Sequence, residues 1–60
     1  MDYKVQLNHQ EDENAPRGTT YFVGVEGLLL KSNVDFEVSG YSWQDAMAKA
    51  IDKLQEMGEI

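Results

Sequence analysis

The residues of this chain with the means to do chemistry are one histidine, His9, and 11 carboxylate side chains. A general base needs a partner that orients it, and a metal site needs several fixed ligands. Glu11 and Glu13 are the nearest donors to His9 in the chain, a spacing that is common in acidic surface loops. We therefore expect His9 to be exposed in or beside a loop and to have no catalytic or metal-binding role.

Three other segments carry residue types found in active sites, and each has a simpler explanation. The run Glu11–Glu13 lacks the alternating acidic ligands, central glycine and distal glutamate of an EF-hand, so it predicts a solvated loop or an acidic patch that faces a partner. Gly24–Gly27 lacks the lysine and hydroxyl residue that end a phosphate-binding loop. Ser42 is best explained as a helix N-cap, because no histidine is placed to activate it.

The chain contains no cysteine, which excludes disulfides, thiolate metal sites and cysteine nucleophiles. With no pair of groups placed to act as acid and base, we expect no catalytic residue, no bound metal and no cofactor. The sequence predicts that this protein is not an enzyme.

Charge is the clearest compositional signal. Acidic residues outnumber basic residues by 11 to 5, for a net charge of -6. This surplus disfavours direct binding to nucleic acid or to an anionic membrane, and it favours a protein partner with a basic surface. A net charge of this size is also common in small domains, where it maintains solubility and need not bind any partner. The predicted partner-binding residues are Glu11, Asp12, Glu13, Asp35 and Glu37.

Hydrophobic patterning predicts one domain over residues 1–60, of the α+β class. Tyr3, Val5 and Leu7 alternate with polar residues, which predicts a strand at about residues 3–8. A polar, exposed acidic loop at about 9–18 precedes a β-hairpin at about 19–39, with its long first strand running to about Leu30. Gly24 and Gly27 suggest a bulge or bend in that strand.

The C-terminal part predicts a helix at about residues 43–57. Ser42 and Asp45 have the spacing of a capping box, an apolar stripe follows at intervals of three and four, and Gly58 is suited to a left-handed cap. Lys49 and Lys53 are expected on a solvated helix face. The predicted fold is a three-stranded antiparallel sheet with one C-terminal helix packed on one face, in the order β-β-β-α.

The chain has more apolar residues than one helix-covered sheet face requires. Alternating residues of the first and last strands supply that face: Tyr3, Val5, Leu7, Val34, Phe36 and Val38. The surplus in the middle strand either packs beneath the end of the helix or forms an interface. Because a chain of this length is only marginally stable alone, we expect a homodimer. Its predicted interface residues are Phe22, Leu28, Leu29 and Leu30.

The segment from Ser39 to Ile51 resembles part of the HicB-type antitoxin domain. The matching residues are Gly40, Ser42, Asp45, Ala46, Ala50 and Leu54, and the segments Tyr3–Val5 and Tyr21–Val23 fit the first two strands of that family. The resemblance implies a small βββα domain without catalytic residues that neutralises a toxin. The family's Pro-Asp-Leu-Pro-Gly loop is replaced here by Glu26–Asn33. No counterpart of its C-terminal DNA-binding segment precedes Ile60, so we do not expect operator binding.

Together these features predict a small acidic binding protein that neutralises a basic partner protein, as HicB-type antitoxins do. One alternative is a phage-encoded DNA mimic that inhibits a host nuclease, repair enzyme or defence complex. Another is a structural or accessory dimerisation domain. No apolar run reaches the length of about 18 residues that a membrane span needs, and no signal peptide is evident at the start. We therefore expect a complete, cytoplasmic protein.

Overall fold

Three strands and one helix make up the structure, a computed structural model that describes residues 2–60. The elements are β1 (Asp2–Glu11), β2 (Thr19–Leu28), β3 (Asn33–Gly40) and α1 (Trp43–Glu56). The strands form one antiparallel sheet in the order β1-β2-β3. The predicted βββα fold of the α+β class is confirmed. Two boundaries differ from the prediction, because β1 continues through Glu11 and β2 ends at Leu28.

The connection between β1 and β2 is a turn organised by Asp12. Its N–H donates to the carbonyl oxygen of Gly18 at 3.0 Å. Its carboxylate accepts hydrogen bonds from the Asn14 N–H at 2.9 Å and the Thr20 hydroxyl at 3.1 Å. Ala15 is buried in the middle of this turn. The predicted acidic loop is therefore shorter than expected and is closed by its own hydrogen bonds.

The pairing register between the strands is unbroken along the whole sheet. Val5 pairs with Val25, which pairs with Phe36 in turn. Because paired residues point to the same side of a sheet, these side chains share the face on which the helix lies, called here the inner face. The opposite side is called the outer face. The alternation predicted for β1 and β3 is thus retained in three dimensions.

The predicted bulge at Gly24 or Gly27 is absent, since each glycine pairs one-to-one with both neighbouring strands. Gly27 instead has a φ of +127°, and a Cβ there would lie 2.5 Å from the carbonyl oxygen of Asp2. Glycine is therefore required at position 27 by a close approach of backbone to backbone and by its φ angle.

The core is small and lies between the helix and two of the three strands. Val23, Ala46 and Ala50 are almost fully buried, and Tyr21, Phe36 and Val38 pack against them. The helix packs against β2 and β3. A helix about 10 Å wide covers roughly two strands at a spacing of about 4.8 Å, which leaves the third uncovered.

The uncovered strand is β1. Tyr3, Val5 and Leu7 point to the inner face as predicted, but they remain 48%, 45% and 59% exposed. The expectation that these residues pack beneath the helix was wrong. The physical reason is the width of a single helix. The alternation of residues within a strand indicates which side each residue faces, but not whether the helix is wide enough to cover it.

The helix begins at a two-sided cap. The Ser42 hydroxyl oxygen accepts a hydrogen bond from the Asp45 N–H at 3.0 Å, which confirms the predicted N-cap. The Asp45 carboxylate accepts one from the Tyr41 N–H at 3.0 Å, one residue earlier than in a standard capping box. At the other end, Gly58 has a φ of +79°, as its position after the apolar stripe predicted.

Gly40 lies directly against this cap, which generates a prediction about stability. A Cβ at position 40 would lie 2.6 Å from Oδ2 of Asp45 and 2.7 Å from the backbone nitrogen of Ala46. The variant Gly40→Ala must displace the first turn of the helix. We expect it to lower the free energy of unfolding by about 1–3 kcal/mol in urea titrations followed by circular dichroism.

Gly24→Ala is the matched control, because a Cβ at position 24 would meet its nearest atom, the Phe36 carbonyl oxygen, at an ordinary 3.8 Å. Alanine within a strand restricts the unfolded chain, so stability should stay constant or rise by up to about 1 kcal/mol. Equal losses in the two variants would contradict the role assigned to the Gly40 contact.

Candidate functional site

An acidic patch occupies the outer face of the sheet. Glu26 pairs with Asp35 across β2 and β3, and Glu37 pairs with Gly24 one step along. Because Gly24 has no side chain, the three carboxylates border a shallow depression of about 250 Å³. The patch therefore combines negative charge with space for a side chain of a partner. We call Glu26, Asp35 and Glu37 the outer acidic patch.

The carboxylates of this patch are poorly compensated within the chain. Like charges placed directly opposite each other in a sheet are destabilising, and Glu26 faces Asp35 in this way. Lys4 is the cation nearest in register, opposite Glu26 on β1. Among residues 2–60 the only ion pair joins Lys49 and Asp45, at 3.6 Å on the helix. The outer acidic patch is thus available to an external cation.

The other predicted acidic residues lie elsewhere. Glu11 ends β1, and Asp12 and Glu13 belong to the turn that follows. Glu37 is level with Gln6 in the register, so Glu11 lies about 17 Å further along the sheet at the usual rise of a strand. The Asp12 carboxylate is already bound to Asn14 and Thr20. The five predicted partner-binding residues therefore form two separate groups. Asp35 and Glu37 share the outer face, and Glu11, Asp12 and Glu13 line a second depression at the β1–β2 turn.

Glu26 was not predicted as part of the site, although the sequence contained the signal. A tight turn at residues 29–32 sets the hairpin register, and the Leu29 N–H closes that turn on the Ser32 carbonyl oxygen at 3.0 Å. In that register Glu26 must face Asp35. The prediction extended the first strand to about Leu30, which hid this pairing.

The predicted dimer residues also fail to form one surface. Phe22 and Leu28 occupy outer-face positions of β2, where Phe22 is half-buried. Leu29 and Leu30 lie beyond the end of β2 and line a groove on the inner side. A flat interface cannot contain all four residues, because the sheet separates the two pairs.

That groove runs between β1 and the helix and has a volume of about 300 Å³. Its lining is largely apolar and includes Tyr3, Val5, Leu30, Met47, Ile51 and Ile60. We call it the apolar groove. It exists because the helix stops short of β1, so the apolar side chains of the strand and of the helix flank face each other across open space.

The two flanks of the helix differ in chemistry. On the β3 side, the Lys49 ammonium donates a hydrogen bond to the Ser39 carbonyl oxygen at 3.0 Å, and the Lys53 nitrogen lies 5.8 Å from the centre of the Phe36 ring. Both lysines are exposed on the helix, which confirms the predicted solvated face, and from there they also contact β3. The flank toward β1 carries Met47 and Ile51, both exposed.

His9 belongs to an aromatic cluster at one end of the inner face. Its ring lies 6.3 Å from the rings of both Tyr21 and Trp43, and these two rings are 4.7 Å apart in an edge-to-face arrangement. The expected loop position of His9 was wrong, since the residue lies in β1. Through this packing Trp43 covers the end of the sheet.

Glu59 is a buried carboxylate that the sequence did not reveal. It accepts hydrogen bonds from the Lys31 N–H and the Ser32 hydroxyl, each at 2.9 Å. Burial would raise the pKa of the Glu59 carboxyl, but these bonds, together with those from the backbone of Ser32 and Leu30, lower its pKa below the usual 4.5. Glu59 thereby ties the C-terminus to the β2–β3 turn, a contact between residues distant in sequence.

The described residues give no sign of a metal centre or a membrane-spanning helix. Within residues 2–60, His, Asp and Glu side chains do not gather in groups of three that could hold an ion. None of the helices in that range has the length and apolar character to cross a bilayer. Comparison with protein-family models, curated proteins and solved structures found no match. Function must therefore be inferred from the surfaces of the chain.

The Glu59 contacts predict a change in acid stability. A carboxyl whose pKa is lowered by folding stabilises the native state above its unfolded-state pKa, and this contribution is lost as the pH falls through the folded pKa. We expect Glu59→Gln to be less stable than the parent at pH 7, with the difference shrinking below about pH 4.5. Urea titrations from about pH 7 to pH 2 measure this difference.

Glu56→Gln is the control, since it makes the same chemical change on the exposed last turn of the helix. Its stability relative to the parent should vary little across the same pH range. A Glu59→Gln difference that stays constant as the pH falls would show that the charge of Glu59 does not stabilise the fold.

Proposed function

We propose that this chain is a small, non-catalytic, cytoplasmic binding protein that uses the outer acidic patch to engage and neutralise a basic protein. The observation that carries the proposal is the pairing of Glu26 with Asp35 beside Glu37 on one open sheet face. The strands of a sheet hold such charges in fixed positions, so no loop of this chain has to become ordered before a partner can bind them.

The fold itself does not account for these charges. Neutral polar side chains on the outer face would avoid the repulsion between facing carboxylates. Two further features support a binding role. The depression at Gly24 gives an arginine or lysine side chain room to enter, and within residues 2–60 only one cation, Lys4, faces the patch in the register, which leaves the patch negative. A negative surface of this kind speeds association with a positive one and makes binding sensitive to salt.

The resemblance to HicB-type antitoxins suggests the kind of partner. The βββα order, which the resemblance also implied, supports a proposal that the target is a small basic RNA-cleaving toxin. The neutralising act would be occlusion, in which the acidic sheet face covers the positive surface that the toxin needs for RNA. The described part of the chain needs no catalytic group for this role.

A charge-matched capture experiment tests the proposal. The parent chain and the variant Asp35→Asn/Glu37→Gln are used as baits at low salt in lysate of the source host, and bound proteins are eluted with rising salt. The variant Asp52→Asn/Glu56→Gln is the control, because it removes two charges from the exposed helix surface and leaves the outer face intact. We expect a basic protein to bind the parent and the control but not the outer-face variant.

The affinity between the purified chain and the captured protein then measures how much the outer-face variant weakens binding. Loss of two charges at the interface should weaken binding by about tenfold or more and reduce its dependence on salt. Equal capture by the two double variants would remove the outer acidic patch from the proposal. A large nucleic-acid enzyme among the proteins that bind the parent and the control, but not the outer-face variant, would identify a DNA-mimic inhibitor instead of an antitoxin.

A further inference from the structure

We infer that a second copy of this chain binds at the free edge of β1, in antiparallel pairing, so that the two sheets become continuous. The pairing joins the apolar strips of the two β1 strands and places them between the apolar flanks of the two helices. Of the interface residues predicted from the sequence, this interface includes Leu29 and Leu30, which line the apolar groove, but not Phe22 and Leu28, which lie on the outer face.

The β1 strand has the character of an edge made for pairing. It is 10 residues long, contains no proline or bulge, and every one of its residues is exposed. Its only neighbour is β2, so one whole edge of backbone donors and acceptors is unpaired by the sheet. Long edges of this type recruit other strands unless they are shortened, bent, covered or made charged, and residues 3–8 of β1 carry a single charge, on Lys4.

The other edge, β3, is unsuitable for the same contact. Asp35 and Glu37 alternate on its outer face, so antiparallel pairing of two β3 strands about Phe36 would set Asp35 against the partner's Glu37. Like charges in facing positions oppose such a pairing. Lys49 also holds the helix against the end of this strand through the Ser39 carbonyl oxygen.

The exposed apolar area is sufficient for a stable dimer. Besides Tyr3, Val5 and Leu7, the groove exposes Met47 and Ile51 at 40% and 41%, and Leu30 and Ile60 at 66% each. These fractions correspond to roughly 600 Å² of side-chain surface per copy, at the upper end of the range of about 300–600 Å² for the largest apolar patch of a typical monomer. A standard interface buries about 800 Å² per partner, of which about 60% is apolar.

One register gives favourable side-chain pairs on both faces of the paired β1 strands. With Val5 opposite the partner's Val5, Tyr3 faces the partner's Leu7, and all inner pairs across the strip are apolar. On the outer face Lys4 then meets Gln6, with no like charges opposed. A shift by two residues, the smallest shift that keeps like faces together, would instead place Tyr3 opposite His9.

This arrangement also has a consequence for the proposed function. A twofold axis perpendicular to the joined sheet puts both helices on one side and both outer acidic patches on the other. The dimer would then present two acidic patches to one partner assembly. The inference of a dimer does not depend on the proposed basic partner, because the experiments that test it use the purified chain alone.

Sedimentation of the purified chain tests the dimer. From about 1 to 100 µM we expect a species of twice the 6.8 kDa monomer mass. Leu7→Glu, on the inner face of β1, should weaken the dimer by about tenfold or more, because it buries a charge in the apolar strip. Gln6→Glu adds the same charge on the outer face of the same strand and should leave a dimer. Circular dichroism verifies that both variants are folded.

Cysteine cross-linking tests the register, since the chain has no cysteine of its own. Val5→Cys should form a disulfide between copies on mild oxidation, because directly facing strand residues have Cα atoms about 4.5–5.5 Å apart. Leu7→Cys should not link to itself, since the two positions would be about 14 Å apart. A mixture of Tyr3→Cys and Leu7→Cys chains should cross-link.

Three results would overturn the inference. The first is a monomer at the highest concentration, and the second is equal weakening by Leu7→Glu and Gln6→Glu. The third is a dimer in which Val5→Cys fails to cross-link, which would place the second copy on another surface. A dimer that is weakened by Phe22→Glu and not by Leu7→Glu would also place the second copy on another surface.

Discussion

The width of one α-helix limits how much of this sheet can be buried. With side chains a helix spans about 10–12 Å, whereas three strands at about 4.8 Å spacing present a wider surface. The helix covers β2 and β3, where Val23, Ala46 and Ala50 form the dry centre of the core. Small residues on the helix allow this close approach. The exposure of β1 and the existence of the apolar groove both follow from that one restriction.

The ends of the core are closed by local polar contacts. At the start of the helix, Gly40 admits the Asp45 carboxylate, which caps the Tyr41 N–H. At its end, Gly58 turns the chain back so that Glu59 reaches the β2–β3 turn. A core this small contributes limited hydrophobic free energy, so the fold depends on such contacts more than a larger domain would.

The two unpartnered surfaces lie on opposite sides of the sheet and differ in chemistry. The outer acidic patch is open, flat and charged, which is suited to a soluble basic partner that binds and leaves. The apolar groove is suited to a contact that remains in place, because its exposed side chains are better kept from water. Since the sheet separates these surfaces, the proposed partner on one would not compete with the proposed second copy at the other.

Period-two alternation, the Ser42 cap and the apolar stripe of the helix are local signals, and the sequence alone determined the βββα order and the cap from them. Local signals also assigned Tyr3 and Val5 to the inner side correctly. Three features were decided only in the tertiary structure: the exposure of β1, the separation of Asp35 from Asp12, and the burial of Glu59. Each depends on register or on the width of a neighbouring element, which are relations between distant segments that no local pattern encodes.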